Sequence, residues 1–415
     1  MRLGIVIPAL DEEQTIGATI ERTLVATPGI VESSPVTGVE ITVVSDGSTD
    51  RTAEIARTFG AEVGLIVFEQ NRGYGAAIKA GWDAMPDADV VAFLDADGTC
   101  NPASFGPLTA ALVAHDADIA VGCRLNSGSH MPWIRRLGNR LFATLLSTLA
   151  SSAVRDTASG MRVVRRSALR DLMPLPDGLH FTPAMSARAL LGGELKIVEI
   201  EMPYEERHGR SKLHVIRDGG RFLDTILRSA ALYRPSRLLG AAGVLALLIA
   251  AGLLALPTVH YLQHGTVEEW MIYRFVVGNL LGVVGVLLLC AGHLAGTTVD
   301  ALLFAGRPRS RLRSLAARAL AGPVFWCVEG ALLLTGGLLV LPSFLQLVRT
   351  GSTDAHWSRF IAMSFLYETA AVLAVTKIAG AFLAMAVERA EYLRNSPPVV
   401  PEPTPQRVIA QSTAP

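Results

Sequence analysis

The hydrophobic pattern divides the chain in two. Up to about residue 237, short apolar runs alternate with amphipathic stretches; beyond it, long apolar runs dominate. In the first part Leu3–Ile7, Ile41–Val44, Leu65–Phe68, Val90–Leu94 and Ile119–Arg124 read as strands. They are near-continuous rather than alternating, as expected of strands buried on both faces. The first helix is predicted to run from the acids Asp11, Glu12 and Glu13 to about Thr27. Strands alternating with helices predict an α/β domain with a doubly wound, mostly parallel sheet. Strand ends carry polar or glycine clusters: Pro8-Ala-Leu-Asp-Glu-Glu13, Ser45-Asp-Gly-Ser-Thr-Asp50, Asn71-Arg-Gly-Tyr-Gly75 and Asp95-Ala-Asp97. In an open α/β sheet such clusters converge at the carboxyl edge, where ligands bind.

The second part holds four apolar stretches, 238–259, 272–296, 324–348 and 360–387. Each is long enough to cross about 30 Å of hydrocarbon at about 1.5 Å per residue, and four spanning helices are expected. Two spans with a buried hairpin are the alternative. The linker between the second and third stretches carries Arg307, Arg309, Arg311, Arg313 and Arg318, whereas the first hairpin loop has Glu268 and Glu269 and no Lys or Arg before Arg274. The positive-inside rule makes that linker cytoplasmic, and an even number of spans puts both termini there too. The N-terminus leads straight into a strand, so no signal peptide is expected. Segments 133–146 and 215–237 interleave arginines with large apolar residues. They read as basic amphipathic helices lying on an anionic membrane surface, against the plainer reading of core-facing helices with solvated arginines. Within the spans Glu329, Glu368 and Lys377 are costly, by about 2.5–3.5 kcal/mol each, and should face protein or water. Helix packing is the expected use, with Lys377 within reach of Glu329 on a neighbouring helix. The Pro-rich tail, 395–415, is predicted to be disordered.

Composition narrows the classes. Half of the 415 residues are hydrophobic and mean hydropathy is +0.39, which points to membrane. Lys+Arg and Asp+Glu both total 37, so net charge gives no sign of nucleic acid, and no such partner is expected. Cys100, Cys123, Cys290 and Cys327 show no paired spacing, consistent with a reducing compartment. Asp95 and Asp97 at a strand end suit a hard cation with positions open to phosphate oxygens.

Those clusters, followed by Arg207-His-Gly-Arg-Ser-Lys212, stand in the order and rough spacing of family-two inverting glycosyltransferases. The chain resembles above all the polyprenyl-phosphate (dolichyl-phosphate) mannosyl- and glucosyltransferase branch, over about residues 3–235. The resemblance implies a GT-A fold, a UDP- or GDP-linked sugar donor, Mg²⁺ or Mn²⁺, and hexose transfer to a polyprenyl phosphate. It implies that Asp95 and Asp97 hold the metal, Asp97 being catalytic. Asp46 would contact the nucleobase or ribose, with Pro8, Leu10 and Glu12 lining the same pocket. Gly73 and Gly75 would let backbone approach the donor. Arg124 would lie near the phosphates, and Asp156 in an acceptor-side loop. Thr99 stands where the family often has Gln, and its short hydroxyl leaves it outside the metal shell. Asp50 reads equally as a helix cap.

Arg207 and Lys212 form a cationic pair that could grip a phosphate. An acid often found near Phe181-Thr-Pro-Ala184 is absent. A phosphomonoester, with its second pKa near about 6, scarcely needs a base, whereas a hydroxyl acceptor would, with Asp156 the first to test. The expected organisation is a cytoplasmic catalytic domain over 1–212, a juxtamembrane helix over 213–237 and a membrane domain over 238–388. A processive polysaccharide synthase would carry Q-x-x-R-W, and a nucleotidylyltransferase a G-x-G-T-R loop; neither is present. A glycosyltransferase acting on a lipid or glycan hydroxyl, a non-catalytic scaffold or lipid-transport partner, and a homo-oligomer stay open.

Overall fold

The computed structural model describes residues 1–126, 129–150, 153–205, 214–304 and 322–395. Arg207, Lys212, the Arg-rich linker and the tail after Asn395 lie outside the described residues. The chain forms two compact units, Met1–Leu238 and Leu239–Pro415.

The first unit is built on a seven-stranded sheet: β1 (Arg2–Ala9), β2 (Gly38–Asp46), β3 (Gly64–Phe68), β4 (Val90–Leu94), β5 (Ile119–Cys123), β6 (Met161–Arg165) and β7 (Ile197–Glu201), in the order β3-β2-β1-β4-β6-β5-β7. Its helices are α1 (Ile16–Ser33), α2 (Thr52–Arg57), α3 (Tyr74–Asp83), α4 (Phe105–Ala114), α5 (Trp133–Leu149), α6 (Leu169–Leu172), α7 (Phe181–Gly192) and α8 (Val215–Tyr233). Alternate residues of the central strands feed two cores. Leu3, Ile5 and Ile7 meet Ile16, Ile20 and Ile30 of α1 with Phe105 and Leu108 of α4. Val6, Val91 and Phe93 meet Ile78 and Trp82 of α3 with Phe181 of α7. Burial on both faces explains the unbroken apolar runs. Helix α1 continues past Thr27 and Pro28 to Ser33, because Ile30 extends its buried stripe.

One strand departs from the doubly wound expectation. β6 is antiparallel to both its neighbours, β4 and β5. Its register pairs Leu94 with Met161, so the residues just before β6 lie beside those just after β4. The site depends on that reversal. A third apolar cluster, with Leu146 of α5, Leu190 and Leu191 of α7, and Ile226 and Ala230 of α8, fixes both arginine-rich helices to the first unit. Yet α5 leaves Trp133 75% and Leu141 62% exposed, and α8 leaves Ile216 92% exposed.

In the second unit, α9 (Pro235–His264, its first residues at the end of the first unit), α10 (Ile272–Leu303), α11 (Pro323–Thr350) and α12 (Trp357–Asn395) are long and apolar enough to cross a membrane. Gly282 of α10 and Gly336 of α11 admit the rings of Phe365 and Tyr367 of α12, where a Cβ would collide. Glu368 accepts hydrogen bonds from the Ser364 hydroxyl at 2.6 Å and the Asn279 amide at 3.4 Å. The Lys377 ammonium sits 4.1 Å from the ring centroid of Phe325 and 4.8 Å from that of Trp326. The Ser364 bond lies within α12, whereas the Asn279 and aromatic contacts join neighbouring helices.

Candidate active site

Sheet order reverses between β2 and β4, on either side of β1, and a cavity of about 480 Å³ opens at the carboxyl ends of these strands. It is lined by Pro8 at the end of β1 with Leu10 and Glu12 after it, Asp46 at the end of β2, Gly73 and Tyr74 at the start of α3, Asp95 and Asp97 after β4, and Arg124 after β5. Arg135 of α5 and Arg217, Arg221 and Phe222 of α8 line the same cavity. Ligands of open α/β sheets bind at such a switch point.

The two carboxylates after β4 are each held by an internal donor. The Tyr74 hydroxyl donates to Asp95 Oδ1 at 2.7 Å. The Thr99 hydroxyl donates to Asp97 Oδ1 at 2.7 Å, and the Thr99 amide to the same oxygen at 3.1 Å. Burial pushes the Tyr74 hydroxyl well above its ordinary value, and the adjacent Asp95 charge pushes it further, so it acts as a donor. Gly160, just before β6, lies directly against Asp95; a Cβ there would overlap the carboxylate. As a donor set for a cation, these carboxylates are hard oxygen ligands that fit Mg²⁺ or Mn²⁺. No cluster of three or more metal-ligating side chains occurs among the described residues, so a diphosphate would have to supply further ligands.

Arg124, which lines the cavity, forms a buried ion pair with Asp156. Burial alone would raise the Asp156 carboxyl, but the Arg124 guanidinium outweighs it and holds Asp156 below the usual carboxylate range. Burial likewise works against the Arg124 charge, and Asp156 more than restores it. Asn139 of α5 adds an amide hydrogen bond to Asp156 Oδ1 at 2.7 Å. Asp156 does not line the cavity, and both its oxygens are engaged. Asp156 is thus in contact with Arg124 and Asn139 rather than with the cavity. Nearby Arg162 is wholly buried, and burial lowers its guanidinium to about 10.

Two other expectations are also refined. The Asp46 carboxylate accepts from the Arg72 amide at 2.7 Å and the Gly73 amide at 2.9 Å, so it shapes the loop after β3 while facing the cavity. Gly75 does not line the cavity. Its amide donates to the Asp177 carbonyl at 2.6 Å, and a Cβ there would strike the Pro176 carbonyl and the Phe181 ring. Gly73, at φ 106°, faces the same segment. Gly75 answers to the chain at 176–178, whereas Gly73 faces that segment and also lines the cavity. Asp50 accepts from the Thr52 amide at 2.9 Å and, through Oδ2, from the Glu13 amide at 3.0 Å, so it ties the loop before α2 to the turn after β1. The sequence reading assigned no role to Tyr74, Asn139 or Gly160. Tyr74 was visible within the Asn71–Gly75 motif, whereas Asn139 and Gly160 carry no signal of their own. Arg135, Arg217 and Arg221 were read as facing a membrane rather than a cavity.

Residues 4–173 match the profile of glycosyl transferase family 2. The dolichyl-phosphate hexose transferase of Haloferax volcanii is 34% identical over 227 residues, 54% of this chain and 92% of its own length. A low-salt glycan biosynthesis hexosyltransferase of the same organism is 35% identical over 256 residues, 60% of this chain and 59% of its own. The dodecaprenyl-phosphate galacturonate synthase of Rhizobium johnstonii is 26% identical over 313 residues, 72% of this chain and 86% of its own.

Proposed function

From the premise that this chain belongs to glycosyltransferase family 2, we propose that it is a membrane-bound, metal-dependent hexosyltransferase that moves a sugar from a nucleoside diphosphate to a polyprenyl phosphate. The relatives whose names carry a polyprenyl- or dolichyl-phosphate substrate support that acceptor. The observation that carries the reading is the mixed lining of one cavity: Asp95 and Asp97 together with Arg135, Arg217 and Arg221. The diphosphate of the donor gains a further negative charge as it leaves, and an incoming lipid phosphate brings its own.

When bound at Asp95 and Asp97, Mg²⁺ or Mn²⁺ stabilises charge on the departing diphosphate. Pro8, Leu10, Glu12 and Asp46 supply the walls for the nucleoside. Arg124, kept charged by Asp156, serves the phosphates. An oxygen of the lipid phosphate forms the new bond to the anomeric carbon, and the bond to the diphosphate breaks with its electron pair on the leaving oxygen, inverting the centre. The arginines of α5 and α8, with Arg207 and Lys212 beyond the described residues, hold the acceptor phosphate against that donor. A phosphate needs no proton removed, which suits a cavity whose nearby Asp156 is closed off. The exposed apolar residues of α5 and α8 suit helices lying at a membrane surface, and the Arg-rich linker favours the cytoplasmic side for the catalytic unit.

The test is transfer by purified full-length protein from a panel of UDP- and GDP-sugars to a short polyprenyl phosphate. A metal-dependent product with one donor is expected. Transfer to the unphosphorylated polyprenol at the same rate would overturn the acceptor assignment.

A further inference from the structure

We propose that Tyr74 is a positioning residue for the divalent cation, acting by fixing the Asp95 carboxylate before metal arrives. The proposal rests on the metal reading above. A carboxylate at a strand end ordinarily turns about both its side-chain bonds. Here one side is held by the Tyr74 hydroxyl, 2.7 Å from Oδ1. The other is walled by the Cα of Gly160, which the antiparallel register of β6 brings against it. The tyrosine is itself held by packing. Its half-buried ring meets Phe93 edge-on at 6.3 Å between centroids and Phe181 at 6.4 Å, against one core of the first unit.

Thr99 gives Asp97 the matching restraint through its hydroxyl and amide. The two carboxylates are therefore oriented from independent elements, one from the start of α3 and one from the loop after β4. Groups that orient a metal ligand set how much the ligand must reorganise on binding, and losing one typically costs about 10–100-fold in metal affinity. Replacing Tyr74 with phenylalanine keeps the ring contacts and removes only the donor. A tyrosine serving the core alone would tolerate that change, so the metal affinity separates the two roles.

The experiment titrates Mn²⁺ into full-length protein in detergent, with free Mn²⁺ read by electron paramagnetic resonance, with and without UDP or GDP. For Tyr74→Phe the Mn²⁺ dissociation constant should rise about 10–100-fold, while the melting temperature in chelator matches wild type. The Mn²⁺ concentration for half-maximal transfer should move up in parallel. Wild-type Mn²⁺ affinity in the variant would overturn the proposal, as would a loss of affinity accompanied by a lowered melting temperature in chelator. Failure of the wild-type protein to bind Mn²⁺ with either UDP or GDP present would instead overturn the metal reading on which the proposal rests.

Discussion

Arg124 and Asp156 grip each other through two parallel bonds, Nε to Oδ2 at 2.8 Å and Nη2 to Oδ1 at 2.9 Å, and the Arg124 amide adds a third to Oδ2 at 3.0 Å. The two residues are 32 positions apart, and the reversal of β6 brings them together. Breaking a buried pair by removing one partner strands the other charge, at a cost of about 3–5 kcal/mol. Asp156→Ala should therefore unfold at markedly lower denaturant than wild type, and Asp156→Asn should fall between them. Equal midpoints for Asp156→Ala and wild type would show that the pair contributes nothing.

The pair also sets a pH dependence. The folded Asp156 carboxyl lies below its ordinary value, so its contribution to stability is present above the unfolded value of about 3.9 and is lost as pH falls through the lower, folded value. Wild-type protein should thus lose stability below about pH 4 more steeply than Asp156→Asn. Denaturant midpoints of both proteins between about pH 3 and 7 check the sign.

Gly160 makes a sharper test of the site than of the fold. An added Cβ would displace the Asp95 carboxylate, so Gly160→Ala should lower metal-dependent turnover about 10–100-fold, the loss typical of a misplaced metal ligand. Gly138, inside α5 with no atom near its would-be Cβ, is the control: Gly138→Ala should leave turnover intact and add about 0.5–1 kcal/mol of stability. Turnover of Gly160→Ala matching that control would remove Asp95 from the catalytic account.

Sidedness gives a fourth test. In a background free of native cysteines, since Cys327 is exposed, single cysteines at Gly265 and Arg309 should react with an impermeant reagent from opposite sides of the membrane. The basis is the concentration of arginine in the second linker and its absence from the first loop. Labelling of both from one side would contradict four spans.

The parts of the molecule that were readable in the sequence are those where one physical demand dominates. Strands β1 and β4 are buried on both faces, so Leu3–Ile7 and Val90–Leu94 had to be apolar throughout. The spanning helices are set by hydrocarbon thickness, which length and apolarity report directly. β6 was hidden because Arg162 and Arg165 interrupt its short apolar run. Its arginines instead donate to backbone carbonyls, Arg162 Nη2 to Thr157 at 2.7 Å and Arg165 Nε to Ala117 at 2.7 Å. With β6 missing, the neighbours of Asp95 and Arg124 could not be inferred, since contacts such as Gly160 with Asp95 exist only through strand register. The arginines of α5 and α8 were ambiguous for another reason: a cation near a membrane helix serves lipid head groups and a bound phosphate by the same chemistry.

The acceptor side follows from that ambiguity. Arg135 and Arg217 line the cavity with the carboxylates, from helices whose exposed apolar residues suit a membrane surface. If they hold the lipid phosphate, Arg135→Ala and Arg217→Ala should each reduce transfer to polyprenyl phosphate by about 10-fold or more, with donor hydrolysis to water falling less. Arg207→Ala and Lys212→Ala should behave alike. If the arginines only hold the protein on anionic lipid, the losses should vanish in detergent with a short, soluble polyprenyl phosphate, because surface attraction no longer matters there. The decisive measurement is thus made in detergent, comparing KM for the acceptor with KM for the donor sugar. A raised acceptor KM at an unchanged donor KM supports phosphate binding in the cavity. Unchanged values for both substrates in all four variants would reassign these cations to the membrane surface and leave the acceptor site to be sought elsewhere.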